Sequence, residues 1–339
     1  MSDPNLSFDP PPLFERLRGA LLEDLTAVGD VTSQALVHEN KTASGDFVAK
    51  SEGVICGIKL LPLIFQMAEQ LVSSEAEGRA WDVDDAQAAA AEGKISWDEA
   101  MKLREKSERR EISVQLLKKD ADRVKRGDVV AVVSGNARSI LAGERVSLNL
   151  LSHLSGIATQ TARLVGLIAH TKAKLLDTRK TMPLWRDLQK YAVSCGGALN
   201  HRKGLYDQIL IKDNHLALWN ASDPAGAVRA AHARYPNLKI EVEVVDMAGL
   251  KQVLENSQPE MILLDNFTVA QLSEAVQMCD IFFKNETRAH VRPLLEASGG
   301  ITEINLAQVA ASGVDRVSCG SLTHSVLPMD FSLELRRDD

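Results

Sequence analysis

From about residue 172 onward one pattern repeats: a short apolar run, a polar or glycine end, then a segment long enough for a helix. The runs are Lys174 to Asp177, Gln208 to Asp213, Lys239 to Val244, Met261 to Asn266, Leu294 to Ser298 and Asp315 to Gly320. Parallel strands cannot be joined by a tight turn, so short strands alternating with helical crossovers predict a parallel sheet covered by helices. Chemistry-bearing residues gathered where the strands end predict a barrel with its site at the C-terminal face. The region is short for a full barrel of about 250 residues, so a smaller or incomplete one is expected.

The preceding region differs. Leu13 to Leu25 and Pro62 to Val72 read as helices and Ser44 to Val54 as a strand, a mixed α+β arrangement. A segment from about Ser73 to Arg110 is rich in Ala and charge and reads as a solvated helical insertion. Strand character returns at Val124 to Val133. Ala137 to Leu154 is a helix with Ile140, Leu141, Leu148 and Leu151 at helical spacing. Arg145 lies close to that apolar stripe and needs an anionic partner, with a ligand or another subunit as plausible as an internal carboxylate.

Charge narrows the function. The formal net charge is -7, which excludes the footprint of a nucleic-acid or membrane-surface binder. Against that background Arg179, Lys180, His201, Arg202 and Lys212 gather at strand ends, which predicts a pocket for a small, highly charged anion. No segment reaches transmembrane length, and Met1 to Pro12 lacks the layout of a signal peptide, so a cytoplasmic protein is expected. Cys56, Cys195, Cys279 and Cys319 form no CxxC pair and are expected to be free thiols.

Strict alternation in Lys239 to Val244 sends Glu241 and Glu243 to one face and Val242 and Val244 to the other. Asp265, after Ile262-Leu263-Leu264, can join them at the rim. Such carboxylates either hold Mg²⁺ on a phosphate-bearing substrate or make salt bridges to Lys212 or Lys239. Ser298-Gly299-Gly300 and Cys319-Gly320-Ser321 close the last two strands, where glycine lets backbone N–H groups approach an oxyanion. The nucleotide loops GxxxxGK[ST] and GxGxxG and the GxSxG elbow are absent.

The ordered motifs DTRKT (177 to 181), KYAVSCGG (190 to 197), NHRKGLYDQILIKDNH (200 to 215), EVEV (241 to 244), LLDN (263 to 266), LEASGGIT (295 to 302) and CGSLTHS (319 to 325) resemble the quinolinate phosphoribosyltransferase family. LLEDLTAVGDVTS (21 to 33) and ILAGERVSLNLLSHLSGIAT (140 to 159) are similar to its N-terminal motifs in the same order. The likeness spans the chain except the insertion near 73 to 110 and a smaller one near Phe282 to Arg292.

The resemblance implies a type II phosphoribosyltransferase-like fold, an N-terminal α/β sandwich domain plus an incomplete parallel α/β barrel. The expected domains are residues 1–154, residues 155–325, and a tail, 326–339, returning to the first domain. It implies conversion of quinolinate and phosphoribosyl pyrophosphate to nicotinate mononucleotide, pyrophosphate and CO₂ with Mg²⁺, in a homodimer or dimer-based oligomer with shared active sites. Arg145 (across the subunit boundary), Arg179, His201, Arg202 and Lys212 would meet the quinolinate carboxylates, with Lys180 near both substrates. Glu243 and Asp265 would serve the Mg²⁺ pyrophosphate; the loops Ser298-Gly299-Gly300 and Cys319-Gly320-Ser321 would take the ribose 5-phosphate. Another base, or a silent nucleotide-binding paralogue, remains the alternative. The chain departs from the family pattern at Met182-Pro183-Leu184-Trp185, where the family has Pro-Gly, and at Ala198, where it has glycine. Leu184 thus stands where a residue free to adopt positive φ is usual.

Overall fold

The structure, a computed structural model, describes residues 10–77, 112–219, 223–285 and 291–336. The charged insertion lies outside the described residues from 78 onward, and residues 286–290 of the smaller one do too. The chain divides into two compact units, residues 1–159 with 327–339, and residues 160–326.

In the first unit, the helix Pro10–Leu25 buries Leu13, Leu17, Leu21 and Leu25, one residue per turn on one face. Strands β1 (Thr42–Ala49), β3 (Ser113–Leu116), β5 (Val129–Asn136) and β12 (Phe331–Leu335) form an antiparallel sheet in the order β12-β1-β5-β3, and β2 (Gly53–Val54) pairs with β4 (Arg123–Val124). The strand expected over 44–54 is therefore two strands, divided at the polar Lys50-Ser51-Glu52. The helices Leu61–Glu77 and Ala137–Ile168 approach so closely at Gly143 that a Cβ there would come within 2.8 Å of the Phe65 ring. Phe47, Ile55, Ile58, Leu61, Phe65 and Phe331 are among the buried residues of a wholly apolar core. The helix from Ala137 outruns its expected end at 154 because Ile157, Leu164 and Ile168 continue the buried stripe. Its first turn is capped by Asn136, whose Oδ1 accepts from the Ser139 N–H.

The second unit is built on six parallel strands, β6 (Lys174–Leu176), β7 (Ile209–Ile211), β8 (Ile240–Val244), β9 (Met261–Asp265), β10 (Leu294–Ser298) and β11 (Arg316–Ser318). Their order, β6-β11-β10-β9-β8-β7, brings the first strand beside the last, as barrel closure requires. Between β6 and β7 only an isolated bridge, Leu176 to Leu199, extends the pairing, so the barrel is incomplete there. Every expected run is a strand, and the helices Pro224–Arg234, Met247–Asn256, Val269–Asn285 and Glu303–Ala311 make the crossovers.

Register decides what the strands present. Partners in a parallel pair share a face, and Glu243, Leu263, Glu296 and Arg316 are successive partners across β8 to β11. Two residues further on in β9, β10 and β11, Asp265, Ser298 and Ser318 share that face at the C-terminal ends of the strands. Val242 and Val244 take the opposite face, so β8 is buried on both sides.

Candidate active site

At the C-terminal ends of these strands lies a cavity of about 830 Å³, within the usual range for a small-molecule site. Its lining includes all five cations that the sequence gathers there, Arg179, Lys180, His201, Arg202 and Lys212, together with Asp265. It also includes Ser298, Gly299, Gly300, Gly320 and Ser321.

The first cationic wall depends on a buried tie. Asp177, fully buried after β6, accepts from Lys190 Nζ at 2.5 Å and from the His201 N–H at 2.8 Å, while Lys190 also donates to the His201 carbonyl at 2.9 Å. The loop carrying Arg179 and Lys180 is thereby fixed to the segment carrying His201 and Arg202. Burial raises the Asp177 carboxyl and lowers the Lys190 ammonium, each opposed by the charge of the other. A second strap is Arg186, which donates to Thr181 Oγ1 at 2.9 Å and to the Lys203 carbonyl at 3.2 Å. Gln189 holds the Met182 N–H at 2.9 Å, and between these two anchors Leu184 is bent to a φ of 67°. The backbone at Leu184 thus takes the left-handed form usual for glycine, at a cost of about 1 kcal/mol.

Beneath the cavity lies a layer of buried charge. His201 Nε2 is 3.0 Å from Glu241 Oε2 and 3.4 Å from Glu296 Oε1, and Glu296 Oε2 is 2.8 Å from Arg316 Nε. Gln208 donates to Glu241 Oε2 at 2.7 Å. Burial pulls the imidazole down, but hydrogen bonds to Glu241 and Glu296 prevail and raise its pKa to about 9. Glu296 is pulled below the usual carboxylate range by His201 and Arg316 in spite of burial; Glu241 is pushed up by burial and by the charge of Glu296. Among the described residues these three side chains have donor atoms within 4.8 Å of one another, a spacing that also suits a metal. Arg316 already supplies a cation beside Glu296, so the arrangement is complete as a charge network.

The anionic side is smaller. Glu243 pairs with Lys212 at 2.5 Å, the salt bridge weighed from sequence, and is itself almost buried. Asp265 accepts from the Asn266 side chain at 2.7 Å. Asn266 has a φ of 56°, and its Oδ1 would overlap a Cβ at Gly299, which excludes any larger residue there. Gly299 and Gly300 both have positive φ, 88° and 60°, turning the backbone sharply at the end of β10. A Cβ at Gly320 would crowd Lys180 Cδ at 3.0 Å.

Three expected site residues stand apart from the lining. Cys319 is buried, its Sγ 3.1 Å from Ser321 Oγ; Glu243 meets the cavity through Lys212; Arg145 is exposed on its helix in the first unit.

Two family models match, the quinolinate phosphoribosyl transferase C-terminal domain over residues 157–334 and its N-terminal domain over residues 97–155. The chain belongs to the quinolinate phosphoribosyl transferase family. Within that family, the chain is 38% identical to a nicotinate-nucleotide pyrophosphorylase [carboxylating] of Mycobacterium leprae, over 95% of this chain and 96% of the relative. A probable enzyme of the same name from Bacillus subtilis is 33% identical over 93% and 90%. The solved nicotinate-nucleotide pyrophosphorylase of Francisella tularensis superposes with a TM-score of 0.79 at 30% identity, covering 99% of this chain and 100% of that one.

The cavity is also lined by residues that motif reading did not single out: Thr178, Asn266, Thr302, Ser318, His324 and Ser325. Glu296 could have been noticed as a lone carboxylate inside an apolar run. Asn266 follows Asp265 at a strand end, where a short polar side chain tolerates the left-handed form.

Proposed function

We propose that this cavity joins quinolinate to phosphoribosyl pyrophosphate and releases nicotinate mononucleotide, pyrophosphate and CO₂, the carboxylating nicotinate-nucleotide pyrophosphorylase reaction of NAD biosynthesis. The observation that carries the proposal is the convergence of five cations, one rim carboxylate and two glycine turns on one cavity. Arg179, His201, Arg202 and Lys212 hold the two adjacent carboxylates of the base and aim its ring nitrogen at the ribose C1. The C1–N bond forms as the C1–O bond to pyrophosphate breaks, positive charge growing on the sugar and negative charge on the leaving group. Lys180, packed against Gly320, stands between the two substrates and meets that negative charge. The backbone turn at Gly299-Gly300, with Gly320 and Ser321, takes the 5-phosphate. Once the ring nitrogen is ribosylated, the C2 carboxylate leaves as CO₂, its bonding pair remaining on C2 beside the cationic nitrogen until a proton replaces it.

The donor set fits Mg²⁺ carried on pyrophosphate, which asks one or two protein carboxylates. Asp265 offers one at the rim, and Glu243 offers a second when Lys212 turns to a substrate carboxylate. Bound there, the ion would neutralise charge on the leaving group. The proposal includes a homodimer in which the exposed Arg145 serves the partner's cavity. It also includes a cytoplasmic location, supported by four buried cysteines that form no disulfide. Among the described residues no helix is long and apolar enough to cross a membrane.

The test is CO₂ release from carboxyl-labelled quinolinate. Release that requires both phosphoribosyl pyrophosphate and Mg²⁺ is expected; no release, or turnover of nicotinate at equal kcat/KM, would overturn the substrate assignment.

A further inference from the structure

We infer that Glu241 and Glu296, neither of which touches the cavity, are positioning residues that hold the His201 ring as a fixed cation in its wall. The inference rests on the proposed binding of a dicarboxylate base beside His201.

Counting charge carries the argument. Glu241 and Glu296 are both 0% exposed, and the guanidinium of Arg316 balances one of them. With a neutral imidazole the layer would either keep one buried negative charge without a counter-ion or force a proton onto Glu241, away from its contact with Nε2. An imidazolium brings the layer to neutrality.

Geometry points the same way. Both carboxylates converge on Nε2, at 3.0 and 3.4 Å, and Gln208 donates to the same Glu241 oxygen that faces the ring. Among the described residues Glu241 Oε1 has no well-aligned hydrogen-bond partner, and Glu296 meets His201, Arg316 and the Ser318 side chain, so the charged neighbours carry much of the hold on both carboxylates. Such groups are expensive to bury, and packing alone gives no reason to keep them.

The segment that carries the ring is held in place. Its main chain is pinned on both sides, the N–H on Asp177 and the carbonyl on Lys190. The Arg202 N–H donates to Nδ1 at 2.7 Å and Nε2–H already faces the carboxylates in the neutral ring, so the second proton displaces that one hydrogen bond and adds a full positive charge beside Glu241 and Glu296. Arg179, Arg202 and Lys190 oppose the extra positive charge; Glu241, Glu296 and Asp177 favour it, and the two that contact the ring are carboxylates.

The consequence is divided labour. A carboxylate removed from this layer lets His201 discharge, which weakens the grip on the base and leaves the phosphate side alone. Removing Glu241 also takes away a buried charge and leaves the Arg316 pair intact, so the fold need not suffer there, whereas removing Glu296 leaves the Arg316 guanidinium without its carboxylate.

The experiment has two arms. Nitrogen-15 spectra of histidine-labelled wild-type protein near neutral pH are expected to give His201 with both ring nitrogens protonated, assigned by comparison with a His201→Gln sample. In steady-state kinetics, Glu296→Gln and Glu241→Gln are each expected to raise KM for quinolinate roughly tenfold, the effect of losing one charged contact. KM for phosphoribosyl pyrophosphate should stay within about twofold in both, and the melting temperature should hold in Glu241→Gln but fall in Glu296→Gln, which leaves Arg316 without its carboxylate. A neutral His201 in wild type, or the two KM values rising together with a falling melting temperature in Glu241→Gln, would overturn the inference. Should wild type not turn over quinolinate at all, the proposed function fails, and the spectra still decide the charge of His201.

Discussion

The two units differ in what they bury beside their apolar side chains. The first closes on side chains such as Phe47 and Phe65, whose rings meet edge to face with centroids 5.8 Å apart. The second also buries Asp177, Lys190, His201, Glu241 and Glu296, all nearly inaccessible. Apolar burial stabilises in proportion to area and asks nothing of geometry. Buried ions stabilise little or not at all, yet they fix position and charge to a fraction of an ångström. The difference teaches where to look for function: the unit that accepts poor energetics in its interior is the one that holds the cavity.

Changes on either side of that contrast should separate stability from binding. The largest effect is expected from Phe47→Ala, a loss of about 3–5 kcal/mol in urea denaturation with the KM values of the remaining folded protein unchanged. A rise in KM for quinolinate would mean that the apolar unit also shapes the site. Next, Arg202→Ala should cost about 2–5 kcal/mol in quinolinate binding, read by calorimetry, because a largely buried cation facing a carboxylate is lost. If melting temperature falls while affinity holds, Arg202 belongs to the scaffold.

A smaller effect should follow pH. His201 binds its proton more tightly in the folded chain, at about 9, than at its ordinary 6.5. Its contribution to stability is therefore complete below 6.5 and is lost as pH rises through about 9. Denaturation midpoints measured across that window should decline, and the decline should vanish in His201→Gln. The smallest change is Leu184→Gly, which relieves a left-handed leucine and should stabilise by at most about 1 kcal/mol, offset by the entropy glycine adds to the unfolded chain. A clear loss of stability would show that contacts of the leucine side chain outweigh the bend.

Much of this was legible in the residues. Period-two alternation in Ile240 to Val244 by itself assigns Glu241 and Glu243 to one face, and the six apolar runs become the six strands. The cations were visible because their sequence neighbours are apolar. What could not be read was the partition of the two glutamates: Glu243 meets Lys212 on the loop after the adjacent strand, whereas Glu241 meets His201 and Glu296, brought beside it only by barrel closure. Nothing near Lys190 in the sequence accounts for its burial, and Asp177 opposite it does. Spacing along the chain records local periodicity, and a charge network across four elements leaves no local trace.

The pairing of β12 with β1 has a consequence for how the molecule is made. Phe331 completes the core that Phe47 begins, so the antiparallel sheet waits, during synthesis, until residues 331–335 have left the ribosome. Residues 160–326 are contiguous and face no such delay. The part that is translated first is thus the part that finishes last, and a nascent chain halted before residue 327 would carry the barrel's strands ahead of a sheet still lacking its edge.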